Sequence, residues 1–389
     1  MKELMTVIAT MTGSYFRDDS IKALISSSRT GEIDYSHSRE ILEAERKAIR
    51  DQLHPGGSRE GLGWVSNGEQ RKSGYTTYLP NRFNGFSRKE RVLPELSADF
   101  FREITETNPA IASTLGEGSP LSSAKIIDRL SYTGADLARR EANDAARLAR
   151  EENAKRIFIP SPSPGVITIF YPPGKVYKDH REYLFDISRE IRKEYSAILS
   201  VEGVDLQIDA PDLAMAKSIG VQWGVDFYEA LSDHVDAINE SIAGLPAGRI
   251  RVHYCYGNYS SSHLLDPPYR KVLPELVRLK AGTIVGEMSN GRHEGDSLIL
   301  KEYAEENGWR KDLSFAAGVI DVKSPFVETP ETVAVRLGRI AGIDSIGPER
   351  TIGGTDCGFE TFIGMGNVPK SIALEKLSSL AKGVKLIKD

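Results

Sequence analysis

Four residues in the second half of the chain are of types that bind metal ions. Cys255 and Cys357 are its only cysteines, and His253 precedes Cys255 by two positions. On a continuing strand, residues two apart project to the same face. Glu287 follows the short apolar run TIVG. An imidazole, two thiolates and a carboxylate make a tetrahedral donor set suited to Zn²⁺. On spacing alone, a zinc site and a set of unrelated buried residues both remain open.

Six further polar residues lie where apolar runs end. They are Ser14, Arg17, Glu69, Asp209, Asp321 and Lys323. In a parallel barrel, successive strands deliver the side chains at their carboxyl ends to one rim. We therefore expect these residues and the four potential ligands to meet at one end of a barrel.

The elements that must position these residues are predicted from an alternation of β-type and helical runs. Strands are predicted at 6–12, 63–67, 166–170, 204–209, 249–253, 283–286, 314–320 and 343–346. Helices are predicted at 37–53, 134–153, 183–200, 225–242 and 371–382, and one begins at Thr329, a capping hydroxyl followed by proline. No glycine-rich dinucleotide fingerprint follows any of these strands. The pattern predicts an α/β protein, a (β/α)8 TIM barrel that forms one catalytic domain over residues 1–389.

Residues 78–155 interrupt this alternation. Pro109 and Pro120 mark loops there, and residues 134–153 are rich in Arg, Glu and Ala. We interpret residues 78–155 as a helical insertion within the barrel. We expect this insertion to be a cap over the barrel or an arm that contacts another subunit. An oligomer arm would make the protein a homo-oligomer.

The amino-acid composition excludes some classes of function. The 389 residues are 40% hydrophobic, and 50 basic against 55 acidic residues give a net charge of -5 without a basic block. Nucleic acid is therefore not an expected partner. The opening residues lack a signal-peptide core, and no run reaches the roughly 18 apolar residues that a membrane helix needs. We expect a cytoplasmic protein without a membrane partner, and in a reducing compartment two cysteines do not predict a disulfide.

Several motifs together resemble one family. The segments HYCYGNY, TIVGEMS, GVIDVKSPFVETPETVAVRL and TDCGF are similar to the catalytic half of the cobalamin-independent methionine synthases and to their short, single-domain relatives. The resemblance extends to TGSYFR at 12–17, NGEQRKSGY at 67–75 and LQIDAPDLA at 206–214. It covers most of the chain outside the insertion. It implies a barrel of the uroporphyrinogen decarboxylase/methionine synthase type.

The resemblance also implies an activity. A zinc-dependent enzyme would transfer an alkyl group, above all methyl, from a small-molecule donor to a thiol such as homocysteine. The implied metal ligands are His253, Cys255, Glu287 and Cys357. Coordination keeps a thiol with a pKa near 8.5 as the nucleophilic thiolate at neutral pH.

Substrate-holding residues follow from the same resemblance. Ser14, Glu69 and Asp209 are implied to hold the amino acid part of homocysteine, because a buried ammonium group requires compensating charge. The alternatives are that Glu69 pairs with Arg71 or Lys72 and that Asp209 caps a turn.

Two departures from the family concern the reaction and its donor. Lys323 stands where methionine synthases have a histidine, so it is expected to act as a fixed positive charge, or to pair with Asp321.

Arg17 is expected either to meet a substrate carboxylate or sulfonate or to be a solvated loop arginine. The loop at 167–179 lacks the tryptophan on which the family stacks folate, with Tyr171 as a candidate substitute, and a second barrel is absent from the chain. A polyglutamyl folate donor is therefore in doubt.

Other reactions suit the same barrel. The chain also resembles the epoxyalkane:coenzyme M transferases, so addition of a thiol to an epoxide, or cleavage of the resulting C–S bond, remains an alternative. A metal-free porphyrin decarboxylase and a non-catalytic binding barrel are two more.

Among the other histidines, His180 and His234 are expected to be surface or structural residues, as are His37 and His54, whereas His293 lies close enough to Glu287 in sequence to reach the site.

Overall fold

Eight parallel strands form the barrel in this computed structural model, which describes residues 7–28, 31–93, 97–107, 122–215 and 224–387. They are β1 (Ile8–Ala9), β2 (Trp64–Ser66), β5 (Arg156–Pro162), β6 (Val204–Asp209), β7 (Ile250–Tyr254), β8 (Thr283–Gly286), β9 (Ser314–Ile320) and β10 (Thr351–Thr355). They pair in the order β1-β10-β9-β8-β7-β6-β5-β2. A parallel bridge between Thr10 and Trp64 joins the two ends of the sheet. The predicted (β/α)8 architecture is confirmed.

Helices surround this sheet, as in other TIM barrels. They are α1 (Asp19–Ser27), α2 (Ser38–Leu53), α3 (Leu79–Arg82), α4 (Ala98–Thr107), α5 (Ala135–Glu151), α6 (Pro164–Phe170), α7 (His180–Leu199), α8 (Phe227–Ile242), α9 (Tyr269–Leu276), α10 (Asp296–Asn307), α11 (Pro330–Ala341) and α12 (Lys370–Gly383). The predicted helix start at Thr329 is confirmed, because its side chain accepts the Thr332 N–H at 3.2 Å. Within the described residues, no helix combines the length and apolar character that crossing a bilayer requires.

A layer of buried aromatic and apolar side chains fills the interior of the barrel below the site residues. Trp64, Phe158 and Val285 belong to one buried cluster contributed by different strands. The buried guanidinium of Arg251 lies over the Trp64 ring at 4.5 Å and over the Phe158 ring at 4.2 Å. Along β7, Arg251 and His253 share a face, because side chains alternate along a strand. His253 therefore lies one layer above the aromatic floor.

Two of the predicted strands are wrong. Residues 166–170 form most of α6, and the third barrel strand is β5, which precedes it. The β-branched run VITIF is overridden by a helix start, since the Ser163 hydroxyl accepts the Val166 N–H at 2.9 Å and Pro164 occupies the first turn. Residues 343–346 are a turn, and the eighth strand is the glycine-containing β10. A Cβ at Gly353 would lie 2.7 Å from Val384, so glycine allows the outer helices to pack closely.

The insertion contains strands as well as helices. The antiparallel strands β3 (Phe83–Val92) and β4 (Ser123–Tyr132) form a hairpin, α4 lies between them in sequence, and α5 is the predicted helix of residues 134–153. Pro109 and Pro120, and the first residue of the first predicted strand, Thr6, lie outside the described residues.

Candidate active site

Three of the four predicted metal ligands come together at the carboxyl ends of β7 and β10. One nitrogen of His253 and the thiol sulfurs of Cys255 and Cys357 all lie within 4.8 Å of one another, and all three residues are buried. The Nε2 atom of His253 is buried without a hydrogen-bond partner in the part of the chain that the structure describes. Both cysteines are free thiols. This group could hold a metal ion, and its donors fit the preference of Zn²⁺ for sulfur and nitrogen.

The thiols of Cys255 and Cys357 differ in pKa because they are hydrogen-bonded to each other. A hydrogen bond from Cys357, followed by the influence of His253, lowers the pKa of Cys255 to about 5, although burial opposes this. The same hydrogen bond, together with burial, raises the pKa of Cys357 well above its usual value. At neutral pH the pair therefore carries one thiolate, on Cys255, in the metal-free protein.

The fourth predicted ligand, Glu287, lies outside this group. Its carboxylate accepts hydrogen bonds from the Asn290 side chain at 2.6 Å and from the Tyr256 N–H at 3.1 Å. It also pairs with the Lys323 ammonium. Burial raises the pKa of Glu287, but the combined influence of Lys323, His293 and His263 outweighs burial and lowers the pKa overall.

The alternative that Lys323 pairs with Asp321 is wrong. The Asp321 carboxylate accepts the backbone N–H of Lys323 at 2.8 Å, so it stabilises the turn after β9. The Lys323 ammonium instead contacts Glu287 and the carbonyl oxygen of Gly257, the latter at 3.3 Å. The Lys323 ammonium is therefore paired with Glu287, and the Asp321 carboxylate contacts only the backbone of Lys323 in these hydrogen bonds.

A cavity of about 140 Å³ lies against the metal-binding group. Its polar part includes three residues predicted to bind substrate, Ser14, Glu69 and Asp209. Its remaining wall is largely apolar and aromatic, formed by Tyr75, Phe100, Ile104, Ile169, Phe170, Met215, Tyr259, Phe362 and Met365. Tyr171, the residue predicted to replace the missing tryptophan, does not line this cavity. Its hydroxyl donates to the Thr76 carbonyl at 2.8 Å, and the neighbouring Phe170 faces the cavity instead.

Glu69 is held in a strained backbone conformation inside the cavity wall. Its φ of 55° lies in the left-handed region that side chains rarely adopt, and its N–H donates to the Asn67 side chain at 3.1 Å. Its Oε2 atom is buried without a hydrogen-bond partner among the described residues. Burial raises the pKa of Glu69 to about 7 and that of Asp209 to about 6. Two buried carboxylates in one cavity are an electrostatic site for a cation.

Arg71 and Lys72 do not pair with Glu69, so that alternative is wrong. Arg71 pairs with Glu45 at 2.7 Å, and Lys72 pairs with Glu141 of α5 at 3.0 Å. Glu141 also pairs with Arg82 at 2.6 Å. The pair of Lys72 and Glu141 joins the segment that carries Glu69 to the insertion helix α5, and all three ion pairs are buried.

Arg17 is buried rather than solvated, so the expectation of a loop arginine in solvent is wrong. Its guanidinium donates to the carbonyl oxygens of Lys72 at 2.9 Å and Tyr15 at 3.0 Å, and it lies 3.8 Å from Glu69 Oε2. It is not among the described residues that line the cavity. Arg17 therefore contacts Glu69 on the side of the carboxylate that faces away from the cavity.

Sequence reasoning missed several residues of the site. Asp356, next to Cys357, accepts the backbone N–H groups of Met288 and Ser289 at 2.9 and 3.0 Å, which joins the Cys357 loop to the loop that follows Glu287. His234, expected at the surface or in a structural role, is buried outside the cavity lining and lies 2.8 Å from Asp212, in agreement with a structural role. The TDCG motif was a signal for Asp356, because an acidic residue beside a metal ligand is suited to ordering its loop.

His293 lies beside the site without entering the metal-binding group. Its ring stacks on Tyr256 at 3.6 Å, and its nitrogens lie 2.7 Å from Asp266 and 2.9 Å from Asp296. Tyr256 in turn donates its N–H to Glu287. His293 is therefore part of the support of the Glu287 loop.

The insertion contributes directly to the cavity. Phe100 and Ile104 of α4 line it, and the Glu103 carboxylate accepts hydrogen bonds from Ser262 at 3.0 Å and from the Leu264 N–H at 2.9 Å. The loop that donates these hydrogen bonds follows Cys255 in sequence. Helix α4 thus packs on the loop that leads away from the metal-binding group.

Fold and site define a (β/α)8 barrel with a buried His-Cys-Cys group and two carboxylates at its carboxyl rim. No protein-family model matches the chain. The methionine synthase of Sulfurisphaera tokodaii is 25% identical over 390 residues, and that of Sulfolobus acidocaldarius is 24% identical over 392 residues; each alignment covers 100% of this chain and 95% of the relative. A B12-independent methionine synthase from Shewanella sp. W3-18-1, solved in complex with selenomethionine, superposes with a TM-score of 0.69 at 17% identity, over 98% of this chain and 97% of that one, and supports the fold. The chain is thus similar over its whole length to proteins named methionine synthase, and it shares the fold of a B12-independent methionine synthase.

Proposed function

We propose that the protein is a zinc-dependent enzyme that methylates a thiol, with homocysteine as the acceptor and methionine as the product. The observation that carries the proposal is the buried group of His253, Cys255 and Cys357 beside a cavity that presents Glu69 and Asp209. The two full-length relatives named methionine synthase support methyl transfer as the reaction.

Three residues would hold the metal directly: His253, Cys255 and Cys357. Zn²⁺ bound there would lower the pKa of a substrate thiol, so that the sulfur is a thiolate at neutral pH. The unpartnered Nε2 of His253 and the two free thiols support this assignment, because buried polar atoms normally have partners.

The chain's own residues would position the amino acid part of the acceptor. The orphaned Oε2 of Glu69 offers an acceptor for an ammonium group, and Asp209 supplies a second carboxylate in the same cavity. A bound cation favours the ionised form of both carboxyl groups and so offsets the burial that raises their pKa values. Ser14 would add a hydrogen bond at the polar end.

The apolar part of the cavity would exclude water from the reacting sulfur and receive the methyl carrier. We propose that residues 78–155 act as a cap within the single catalytic domain, with α4 closing this part of the cavity. The contacts of Phe100, Ile104 and Glu103 support that role. Exclusion of water strengthens the attraction between the carboxylates and the acceptor's ammonium group.

Mass spectrometry of reaction products tests the proposal. Zinc-loaded protein is incubated with homocysteine or 2-mercaptoethanesulfonate and with a panel of methyl donors, and Cys255→Ala serves as the inactive control. We expect methionine from homocysteine, only with the unaltered protein, and one zinc per chain. A thioether formed from an epoxide and 2-mercaptoethanesulfonate, without methionine, would instead support the coenzyme M type of reaction. Turnover that is independent of zinc would overturn the metal assignment.

A further inference from the structure

The backbone of Glu69 is stabilised by the side chain of Asn67. The φ of 55° at Glu69 lies in the left-handed region, which costs free energy for a residue other than glycine. The Asn67 side-chain oxygen accepts the Glu69 N–H at 3.1 Å, and the Glu69 carbonyl oxygen accepts the Lys72 N–H at 3.0 Å. These two hydrogen bonds maintain the conformation in which Glu69 lines the cavity.

Two buried carboxylates fix the orientation of the Asn67 amide. Its Nδ2 atom donates to Glu141 Oε1 at 3.0 Å and to Glu45 Oε1 at 3.2 Å. A rotated amide would bring its oxygen against these carboxylate oxygens and its NH2 group against the Glu69 N–H, so it would lose all three hydrogen bonds. Glu141 and Glu45 therefore determine that the oxygen of Asn67 faces the Glu69 N–H.

Glu141 also binds the ammonium group of Lys72. The Lys72 Nζ atom lies 3.0 Å from Glu141 Oε1, and the side chain is 1% exposed. Lys72 is close enough to act on Glu69, since burial raises the pKa of Glu69 and the Lys72 charge is among those that oppose burial. A buried ammonium group requires a counter-charge, so Lys72 released from Glu141 would compete for the Glu69 carboxylate.

Glu141 is itself held in the ionised form. Its Oε2 atom accepts a hydrogen bond from Arg82 at 2.6 Å. Burial raises the pKa of Glu141, but the positive charges of Lys72 and Arg82 lead the influences that outweigh burial and lower the pKa overall. Glu141 belongs to α5 of the insertion, whereas Asn67 and Lys72 belong to the segment after β2. The insertion thus supplies a permanent negative charge to the turn that carries Glu69.

We propose that Glu141 of the insertion is a positioning residue for recognition of the acceptor's ammonium group by Glu69. It orients the Asn67 amide that stabilises the Glu69 backbone. It also retains the Lys72 ammonium, so that the Glu69 carboxylate is left to the substrate. The inference rests on the proposed function, which assigns the acceptor's ammonium group to Glu69. It gives the insertion a part in acceptor recognition that is separate from the cap formed by α4.

Equilibrium binding of the acceptor tests this role without a methyl donor. Isothermal titration calorimetry with zinc-loaded protein measures Kd for homocysteine and for 4-mercaptobutanoate, which lacks only the amino group. We expect Glu141→Gln and Asn67→Leu each to raise the Kd for homocysteine about 10-fold, the scale of one hydrogen bond to a charged group, and to change the Kd for 4-mercaptobutanoate less than about 2-fold. Equal losses for both thiols would overturn the proposal. If Glu141→Gln does not fold, Asn67→Leu carries the same test, because it leaves the ion pairs of Glu141 in place.

Glu32→Gln is the matched control. Glu32 is a second buried carboxylate that pairs with Arg82 at 2.6 Å, and its side chain also accepts a hydrogen bond from Asn81 at 2.8 Å. The substitution removes one buried charge beside the same arginine and leaves the backbone pairing of Glu32 with Lys72 in place. The ratio of the two Kd values should therefore stay unchanged. A change as large as that in Glu141→Gln would overturn the proposal, because the loss of any charge beside Arg82 would then suffice.

A double variant shows whether Glu141 acts through Glu69. In the Glu69→Gln background, Glu141→Gln should raise the Kd for homocysteine less than about 2-fold further, because the effects of coupled residues are not additive. A further rise of about 10-fold would overturn the proposal, since independent effects add. Failure of the proposed function has a different signature. The unaltered protein would then bind homocysteine no more tightly than 4-mercaptobutanoate, which overturns amine recognition by Glu69 and this inference with it.

Discussion

A Cβ atom at Gly358 would lie 1.8 Å from the Ser14 hydroxyl oxygen, so only glycine fits beside this serine. The Phe359 N–H donates to the Ser14 carbonyl at 3.0 Å, and Cys357 directly precedes the glycine. The loop that carries Cys357 and the loop that carries Ser14 are therefore in direct contact. A change at this contact is expected to disturb acceptor binding.

Gly358→Ala tests that contact. The added methyl group must displace the Ser14 side chain, so we expect the KM for homocysteine to rise about 10-fold, the loss of roughly one hydrogen bond to a charged group. Steady-state kinetics measures this change, and zinc content is the control for the neighbouring Cys357. An unchanged KM would show that Ser14 does not hold the acceptor.

Glu69→Gln should affect the acceptor only through its ammonium group. The substitution keeps the shape of the side chain and removes the charge, so kcat/KM for homocysteine should fall at least 10-fold, as for a buried charge that loses its partner. The comparison is with 4-mercaptobutanoate, which lacks the amino group. Its kcat/KM should change less than about 2-fold. Equal losses for both thiols would mean that the variant damages the site in general.

Phe100→Ala examines the cap. The Phe100 side chain lines the cavity and packs on the Tyr259 ring at 5.3 Å, so its removal enlarges the apolar part of the site. We expect kcat/KM for homocysteine to fall and that for a thiol with a bulkier side chain to rise relative to it by about 10-fold, the selectivity typical of one apolar group. Phe101→Ala, a change at a 45% exposed position of the same helix, is the matched control and should leave the ratio unchanged.

Short-range signals in the sequence were sufficient to predict the barrel architecture and the meeting of His253, Cys255 and Cys357. His253 and Cys255 are two residues apart on one strand, and Cys357 follows a strand-end motif, so alternation along strands and the motif resemblance bring them to one rim. The wrong strand at 166–170 arose because a β-branched run suggested a strand, while the capping hydroxyl of Ser163 and Pro164 decide for a helix.

Long-range pairing was the part that the sequence could not predict. Arg17 carries no local sign that it is buried, since its donors reach Lys72, which is 55 residues away. Lys72 in turn pairs with Glu141 of the insertion. Which of many acidic residues meets a given basic one depends on the finished packing of helices. For the same reason the pairing of Lys323 with Glu287 was not foreseen.

His293 should make stability depend on pH. Burial lowers the pKa of His293, but hydrogen bonds to Asp266 and Asp296 outweigh burial and raise it to about 9. A histidine whose pKa is raised on folding stabilises the protein fully below the unfolded pKa near 6.5, and that contribution is lost as pH rises through 9. We expect the free energy of unfolding to fall by on the order of 3 kcal/mol between pH 6 and pH 10 from this group. Urea unfolding of His293→Gln should lack this component of the slope, and an identical slope in both proteins would contradict the assignment.

Removal of the metal should expose the thiol pair to oxidation. Cys255 and Cys357 have sulfur atoms within 4.8 Å, and the low pKa of Cys255, set first by its hydrogen bond from Cys357, leaves a thiolate at neutral pH. A thiolate attacks the oxidant diamide, and the second thiol then displaces the reduced hydrazine to form a disulfide. Chelator-treated protein should therefore lose two hydrogens, about 2 Da in intact mass, because each thiol gives up one. Protein reloaded with zinc should keep its mass, since coordination engages both sulfurs, and Cys357→Ala is the control that cannot close the bond. Equal oxidation with and without zinc would mean that the two thiols do not share the metal.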